Sequence, residues 1–486
     1  DLDIVVNNIW DPVLVYENKA ATKNHSINLK LNGPPQNTNA LGAKCFVFSH
    51  NQIIYAEKSD VHGFMSSMET PLHIGIGTAR PDSILLVWPD NTYEALKYDT
   101  SNRLINIAWK KDLPVFDYKI ITDFYKLQGR AMVDITAAAK LDYVHTENEF
   151  NEFNREFLLP RMFGSEGPAL AVGDVNGDKL DDIYIGSSKG KKSVLFLQNT
   201  NGAFSRSVQP QLDLDSTYED VDACFTDVNN DGYLDLAVAS GGNEYYGNEQ
   251  WRQPRIYLND GKGKFSKLAD AMPGIYLTQS CIKPCDFNKD GFTDFFVGGR
   301  TTAFAYGKIP ISYLLQNDGT GHFKNVTPTI AKGLPDIGFV TNANWTDINN
   351  DKQPDLVVSL EWGGITAFVN NKGQFSKKEL TAKKGWWNFV LPMDVDNDGD
   401  VDLVAGNQGL NTLFQPSTEQ PLRMYYNDFD NNGTKEQVIT YYKQGVEIPM
   451  SSKMDLEKQM PFLKKKFLYA ADFSKASLSD IFSKDK

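Results

Sequence analysis

The sequence predicts an all-β fold, most of it a β-propeller preceded by a smaller β-sandwich or barrel. Three observations carry this reading. An acidic nine-residue pattern followed by a short apolar strand recurs six times. A second element, an apolar strand, an Asn/Gly turn and an aromatic residue, keeps phase with the first. The stretch ahead of these repeats alternates apolar and polar residues with period two, as half-buried strands do.

The acidic pattern has Asp at position 1, Asp or Asn at positions 3 and 5, and Asp or Glu at position 9. It begins at Asp174 (DVNGDKLDDIYIG), Asp227 (DVNNDGYLDLAVAS), Asp286 (DFNKDGFTDFFVGG), Asp347 (DINNDKQPDLVVSL), Asp394 (DVDNDGDVDLVAGN) and Asp428 (DFDNNGTKEQVIT). Successive copies are roughly 35–60 residues apart, the size of one four-stranded propeller blade. The second element reads FLQNTNGAF at 196–204, YLNDGKGKF at 257–265, LLQNDGTGHF at 314–323 and FVNNKGQF at 368–375. Asn-Gly and Asp-Gly turns between such segments signal hairpins. A blade therefore reads as strand, acidic loop, strand, variable loop, strand, tight turn, strand, and such units arranged radially make a propeller.

Three or four carboxylates in nine residues repel one another unless a cation offsets them. Calcium takes six to eight oxygen ligands with flexible geometry, which suits side chains at positions 1, 3, 5 and 9 and a carbonyl near position 7. An EF-hand is excluded, because it needs Glu at position 12 and flanking helices. Position 12 is Ile185, Val238, Val297, Val358, Ala405 and Ile439, apolar each time. Glycine at position 6 permits a left-handed turn. Lys179 and Lys352 replace it in the first and fourth loops, so those sites are expected to be weaker. The Asp394 loop, with four acidic pattern residues and Gly399, is expected to be the strongest.

These repeats resemble the FG-GAP/VCBS repeats of integrin α-subunit propellers and their bacterial relatives. The resemblance implies calcium in the loop joining the first two strands of each blade. Carried over residue by residue, it implies as ligands Asp174, Asn176, Asp178 and Asp182; Asp227, Asn229, Asp231 and Asp235; and Asp286, Asn288, Asp290 and Asp294. The remaining sets are Asp347, Asn349, Asp351 and Asp355; Asp394, Asp396, Asp398 and Asp402; and Asp428, Asp430, Asn432 and Glu436.

Ahead of the repeats, NHSINLKLNG, LGAKCFVF (41–48) and LHIGIGTARPDSILLVWPD (72–90) resemble the ASPIC/UnbV domain, which implies no secure activity. The expected organisation is the last part of an upstream blade at 1–20, this β domain at 21–98, and a partly helical bridge packed on the propeller rim at 99–165. Blades follow at 166–450 and a helical insertion at 451–486. Asp1 and Asp3 align with Asp400 and Asp402, so the chain is expected to begin inside an acidic loop of a larger protein. The loss of register beyond the sixth loop gives the same expectation of an incomplete propeller at the other end.

Composition narrows the function. Net charge is −13 from 49 basic and 62 acidic residues, which argues against a nucleic-acid partner. Six bound calcium ions would nearly cancel it, so calcium is expected mainly to stabilise the fold. No apolar run approaches the ~20 residues of a membrane span. Four cysteines are too few for a disulfide framework, and Cys224, Cys281 and Cys285 read as core thiols. GSSKG at 186–190 fits the nucleophile-elbow pattern, but a strand follows it where a helix is required. GIGTAR at 75–80 lacks the third glycine of a dinucleotide fingerprint. His145, beside Glu147, reads as a hydrogen-bonding histidine.

The loops between second and third strands vary most, and Tyr245, Tyr246, Trp251, Arg252, Arg300, Tyr306 and Trp362 offer aromatic platforms beside polar donors. Such groups suit a glycan or a peptide segment. The expected function is a non-catalytic, calcium-stabilised recognition or assembly module, extracellular or on a bacterial cell surface. The resemblance is to a family common in bacterial surface proteins and lipoproteins, which implies membership of an outer-membrane complex as one form this could take. The alternatives are a propeller-based carbohydrate-active enzyme and a purely structural subunit of an outer-membrane complex.

Overall fold

The computed structural model describes all residues except 1–2, 8–11, 20–23, 51, 62, 64–65, 68–70, 99–103, 127–131, 273, 410–411 and 483–486. It contains two compact units, residues 1–133 and 134–486.

The first unit opens with a hairpin that pairs Ile4–Val6 antiparallel with Leu14–Tyr16. The Asn18 N–H donates to Asp3 Oδ1 at 2.9 Å. A two-sheet sandwich follows. One sheet has the order Leu72–Gly77, His25–Asn32, Ile105–Ala108, and the other Gln52–Glu57, Lys44–Ser49, Ser83–Val87, Tyr93–Leu96. Alternation places Ile27, Leu29 and Leu31 inside, against Val47, Ile74, Leu86 and Trp88. Each fully buried side chain of this kind contributes about 1.5–3 kcal/mol. On the outer face of the second sheet, Phe46, Phe48 and Val87 are covered by Phe116 and by Ile121 and Phe124 of helix Lys119–Phe124. The sheets do not close into a barrel. The domain also runs beyond its expected limit at 98. Ile105–Ala108 pairs in parallel with His25–Asn32, and a parallel partner arrives without the local turn that would announce it.

The second unit holds four blades with the expected antiparallel strand order. The first is Leu170–Gly173, Asp182–Ile185, Val194–Gln198 and Phe204–Ser207. The second is Asp220–Thr226, Asp235–Ser240, Arg255–Asn259 and Phe265–Lys267. The third is Thr278–Cys285, Asp294–Thr301, Tyr313–Asn317 and Phe323–Asn325, and the fourth Phe339–Thr346, Asp355–Gly363, Ile365–Asn371 and Gln374–Glu379. First strands of successive blades lie side by side. Blade faces interleave into shared cores, such as Phe296, Leu314 and Cys281 of the third blade with Val340, Val358 and Phe368 of the fourth. Second strands are covered on both faces, so Asp235–Ser240 and Asp294–Thr301 are buried throughout. A fifth unit contributes only Gly385–Met393 and Asp402–Asn407 among the described residues, and Trp386 pairs with Glu361 of the fourth blade. The four cysteines are free thiols.

The sixth acidic loop belongs to a three-stranded sheet, Arg423–Asn427, Glu436–Lys443 and Val446–Pro449. Four short helices pack on it, Lys453–Gln459, Leu463–Lys466, Ala470–Ser474 and Leu478–Ile481. Their Leu456, Met460, Leu463 and Ile481 meet Phe429, Val438 and Leu158. The repeat-like run around Ser477 is a helix start, in which Ser477 and Asp480 cap each other's backbone N–H groups.

The bridge, expected to be partly helical, holds the short helices Lys119–Phe124 and Thr136–Ala139, and within 145–163 a single helical turn, Glu152–Asn154. The segment 145–163 lies across the variable-loop ends of the blades. Asn148 and Arg155 bond Glu244, Arg161 pairs with Glu361, and Phe163 stacks near Tyr306 at 5.1 Å. The buried Glu152 carboxylate accepts N–H bonds from Phe163 and Gly164, which folds this segment back on itself.

Candidate functional site

In an antiparallel sheet of order 1-2-3-4, the first and second connections leave from opposite ends. Strands of four to nine residues therefore separate the acidic loops from the variable loops by roughly 15–30 Å at ~3.3 Å per residue.

Each acidic loop wraps around its position-1 aspartate. Asp174 Oδ1 accepts from the N–H of Gly177 at 2.7 Å and Asp178 at 3.1 Å, and its Oδ2 from Lys179 at 2.7 Å. The bonds from the N–H groups of positions 5 and 6 recur around Asp227, Asp286, Asp347, Asp394 and Asp428. Position 6 needs positive φ: 88° at Gly232, 91° at Gly291, and also 69° at Lys179 and 66° at Lys352. The two lysines thus adopt the conformation that glycine tolerates best.

Position 9 is buried at Asp182, Asp235, Asp294, Asp355 and Glu436. At Asp182, Asp235, Asp355 and Glu436 one oxygen holds the position-2 N–H, as Asp235 does from Val228 at 3.0 Å. In the complete blades the other holds the end of the third strand, as Asp235 does from Asn259 at 2.8 Å. Burial, opposed by these bonds and reinforced by neighbouring carboxylates, raises Asp235 to about 6 and Asp294 to about 7. Asp402 is exposed, because its unit has no third strand among the described residues to cover it.

These residues fit a divalent cation. Oxygens of Asp394, Asp396 and Asp398 lie within 4.8 Å of one another, as do those of Asp428, Asp430 and Glu436. Asp294 Oδ2 and Glu436 Oε1 are buried without a hydrogen-bond partner. A calcium ion would satisfy such orphaned acceptors and offset the carboxylate repulsion.

A third-strand asparagine bolts each of the first three loops to the next blade. Asn259 Nδ2 donates to Val175 O of the first blade's loop at 2.8 Å and to Leu234 O at 2.9 Å. Asn317 does the same to Val228 O and Thr293 O, and Asn370 to Phe287 O and Pro354 O. Sequence reading took these asparagines as turn residues. Their phase with the acidic loop was the available signal for a joint.

At the other end, the expected ligand-face residues divide into two groups. Arg300 and Tyr306 are not displayed: they are 2% and 0% exposed. Arg300 forks onto Glu166 at 2.7 and 2.8 Å and reaches Glu361 at 2.7 Å, while Tyr306 donates to Glu361 at 2.6 Å. Burial opposes ionisation of Glu361, yet Arg300 and Arg161 hold its carboxyl below the ordinary range. Trp362 donates to Tyr306 at 2.7 Å, and Arg252 is buried and donates to Gly247 O at 2.5 Å. Trp251 packs edge-on to Tyr218 at 5.1 Å and lies 6.3 Å from Tyr245, whose hydroxyl donates to Thr217 O. These groups shape the loops from within.

Tyr246 is 57% exposed and meets Phe304, 47% exposed, edge-on at 5.2 Å. The Arg155 guanidinium sits 4.1 Å from the Phe304 ring centre. Phe304 holds φ of 60°, unusual for an aromatic residue. Sequence reading missed Phe304 and Arg155, since nothing local pairs a bridge residue with a blade loop. Nearby, His145 bonds Tyr143 and Glu147, at 3.1 and 2.6 Å. Glu219 is buried, its Oε2 accepts from the Lys189 N–H at 2.8 Å, and burial drives its carboxyl up to about 8.

Comparison with known proteins agrees with this architecture. A family model described as ASPIC and UnbV matches residues 33–113. One described as an FG-GAP-like repeat matches 174–238, 227–297, 286–358 and 347–405. Among curated proteins, phosphatidylinositol-glycan-specific phospholipase D of Bos taurus is 26% identical over 185 residues, covering 33% of this chain and 22% of that protein. Integrin alpha-8 of Mus musculus is 27% identical over 186 residues, covering 33% of this chain and 16% of the integrin. The chain thus spans less than a quarter of either relative. Among solved structures, the Dos1 propeller aligns over 76% of this chain and 87% of its own at 8% identity and a TM-score of 0.27. YCF48 bound to D1 peptide aligns over 60% and 79% at 9% identity and a TM-score of 0.29. Repeats, blades and the sandwich agree with these matches: the chain carries FG-GAP-like repeats across 174–405, folded as propeller blades, and an ASPIC and UnbV domain at 33–113.

Proposed function

We propose that this chain is a non-catalytic recognition module, stabilised by calcium and presented outside the cell, which binds a protein or glycan at its variable-loop end. The observation that carries the reading is the division of chemistry between the two ends of the blades. Acceptor-rich loops with orphaned carboxylate oxygens at Asp294 and Glu436 stand at one end. Exposed Tyr246 and Phe304, with Arg155 over the latter, stand at the other. Calcium would be held by carboxylates such as Asp394, Asp396 and Asp398, and would supply charge neutralisation there. The aromatic pair with a guanidinium supports binding of a sugar face or a peptide segment. The similarity of part of the chain to an integrin subunit supports display at a cell surface.

The test is a glycan and peptide array probed with the full chain, alongside melting curves with calcium and with a chelator. Calcium at 100 times Kd contributes ~2.7 kcal/mol per independent site. Unchanged melting in chelator would remove the calcium half of the proposal. Array binding that survives Tyr246→Ala with Phe304→Ala would remove the other half.

An assembly role has one observation in its favour. The flanks of the end units are apolar and exposed: Leu170 and Val172 on the first blade, Phe389, Leu391 and Met393 on the fifth unit. Contiguous apolar surface of this kind marks protein contacts. Light scattering decides this reading, which predicts association that Leu391→Lys abolishes.

A further inference from the structure

The helices that follow the sixth loop leave one stretch of positive charge without a partner. Lys453 and Lys458 of the helix Lys453–Gln459 pair with Glu457 and Asp455. The next helix, Leu463–Lys466, is a single turn. Leu463 is buried in one core with Leu456 and Met460. At about 100° per residue, Lys464, Lys465 and Lys466 fan round the solvent side of the same turn, and all three are exposed. The Lys466 Nζ donates to Ile481 O at 3.1 Å. The Lys464 and Lys465 side chains make no ion pair or hydrogen bond among the described residues. From 464 to 475 the chain carries these three lysines and Lys475 against Asp472 alone. That is a cationic island in a chain of net charge −13.

The lysines stand next in the chain to apolar surface that folding leaves in water. Phe467 and Phe473 meet edge to face at 5.4 Å and pack against the same core as Leu463. Backbone bonds from Phe467 to Leu463 O at 2.9 Å and from Phe473 to Tyr469 O at 3.4 Å fix the turn on either side. Between these anchors Leu468 is 74% and Tyr469 66% exposed, and Ala470 and Ala471 are exposed with them. Both ends of the tip are tied down while its apolar middle is held outside. An acidic protein partner would use the lysines and leave Leu468 and Tyr469 idle. An anionic lipid surface uses both: ammonium groups meet lipid phosphates, and a leucine and a tyrosine ring enter the boundary between headgroups and acyl chains.

We propose that this tip, residues 464–471, docks the chain on an anionic phospholipid surface, with Lys464 and Lys465 on the phosphates and Leu468 and Tyr469 inserted at the interface. The contact is peripheral, and no helix among the described residues is long and apolar enough to cross a membrane. It involves neither the Tyr246–Phe304 surface nor the acidic loops, and stands whether or not those bind their ligands.

Co-sedimentation of the full chain with vesicles tests the proposal, without added calcium so that no ion bridges the acidic loops to lipid phosphate. Vesicles of equal parts phosphatidylcholine and phosphatidylglycerol are compared with phosphatidylcholine alone. The expected result is binding to the anionic vesicles stronger by about tenfold or more, at about fivefold for each lysine near the surface. It should vanish in salt of about 1 M, where the screening length falls to about 3 Å. Lys464→Gln with Lys465→Gln should weaken it about twentyfold, and Leu468→Ser with Tyr469→Ser about tenfold or more. Lys377→Gln with Lys378→Gln, on the exposed outer strand of the fourth blade, should leave it unchanged. Every replaced side chain is exposed, so the variants fold as the parent does. Failure to sediment with anionic vesicles, equal affinity for the two vesicle types, or binding untouched by Leu468→Ser with Tyr469→Ser would overturn the proposal. An equal loss in the Lys377 and Lys378 variant would overturn it too, because any basic surface would then suffice. Binding to poly-glutamate in place of vesicles would overturn it in favour of an acidic protein partner.

Discussion

Replacing Asn317 by alanine should loosen the joint between the second and third blades more than any single acidic-loop change. Asn317 is 4% exposed. Its Nδ2 donates to Val228 O and Thr293 O at 2.8 and 2.9 Å, and its Oδ1 accepts from Gly319 and Gly321 at 3.0 and 3.2 Å. Four bonds at a net ~1 kcal/mol each set the scale, and the two carbonyls left without donors are the costlier part. The expected loss is about 3–4 kcal/mol, a large share of a stability that for most domains totals about 5–15 kcal/mol. Gln198 is the internal control. It occupies the same register in the first blade, its N–H donates to Asp182 Oδ1, and its side chain makes no hydrogen bond among the described residues. Gln198→Ala should cost within about 1 kcal/mol. Urea unfolding in chelator compares the two without calcium complicating the reading. Equal midpoints for Asn317→Ala and Gln198→Ala would refute the claim that this asparagine carries the joint.

The remaining predictions concern single positions. Lys352→Gly should stabilise the chain by up to about 1 kcal/mol, since Lys352 holds φ of 66°; a lower melting temperature contradicts it. Trp251→Ala should cost about 2 kcal/mol through lost packing on Tyr218, while exposed Tyr246→Ala should cost within about 0.5 kcal/mol; denaturant midpoints in the reverse order would show that the loop is not built around Trp251. Glu219→Gln should flatten a decline of stability with pH. Burial pushes the folded carboxyl up to about 8, against about 4.3 for an ordinary glutamate, so between those values the folded state holds the extra proton and stability falls as pH rises, levelling off above about 8. The variant should gain roughly 2–4 kcal/mol relative to wild type between pH 5 and pH 8.5; parallel stability–pH curves would contradict this.

The blades were legible because their signals are local and repeated. Position 12 apolar, position 9 acidic and an Asn/Gly turn in phase give each sheet its order without reference to anything outside the blade. The sandwich was legible for the same reason, from alternation in runs such as SINLKLNG. Three features were not. Ile105–Ala108 pairs in parallel with His25–Asn32 across five intervening strands, so no turn residue predicts it. Arg300 and Tyr306 carry the residue types of a binding surface, and only the arrival of Glu166 and Glu361 from distant positions turns them into buried partners. The bridge carries many acidic and aromatic residues, and helical propensity was a reasonable prior for it; across 145–163 contacts with Glu244 and Glu361 outweigh that prior. In each case the missing information is the identity of a partner more than fifty residues away.

The acidic loop and the third-strand asparagine act on the same joint, and this bears on what a bound cation would do there. Val175, Val228 and Phe287 occupy position 2 of three loops, and in each the carbonyl accepts from the next blade's asparagine. The N–H of the first two is held by the position-9 carboxylate of their own loop. A position-2 peptide so clamped sits between two blades, and its placement depends on the loop closing around Asp174, Asp227 or Asp286. A cation that tightens the loop therefore tightens the contact with the neighbouring blade. The fifth unit has no third strand among the described residues, so the fourth loop has no such asparagine to meet, and its link to that unit is an exposed one, from Asn350 Nδ2 to Asp400 at 2.8 Å. Cation binding there would order the loop and transmit less to its neighbour. Calcium held in these loops as proposed would therefore act between blades, with the variable loops at the far end free to differ because they carry none of the asparagine joint.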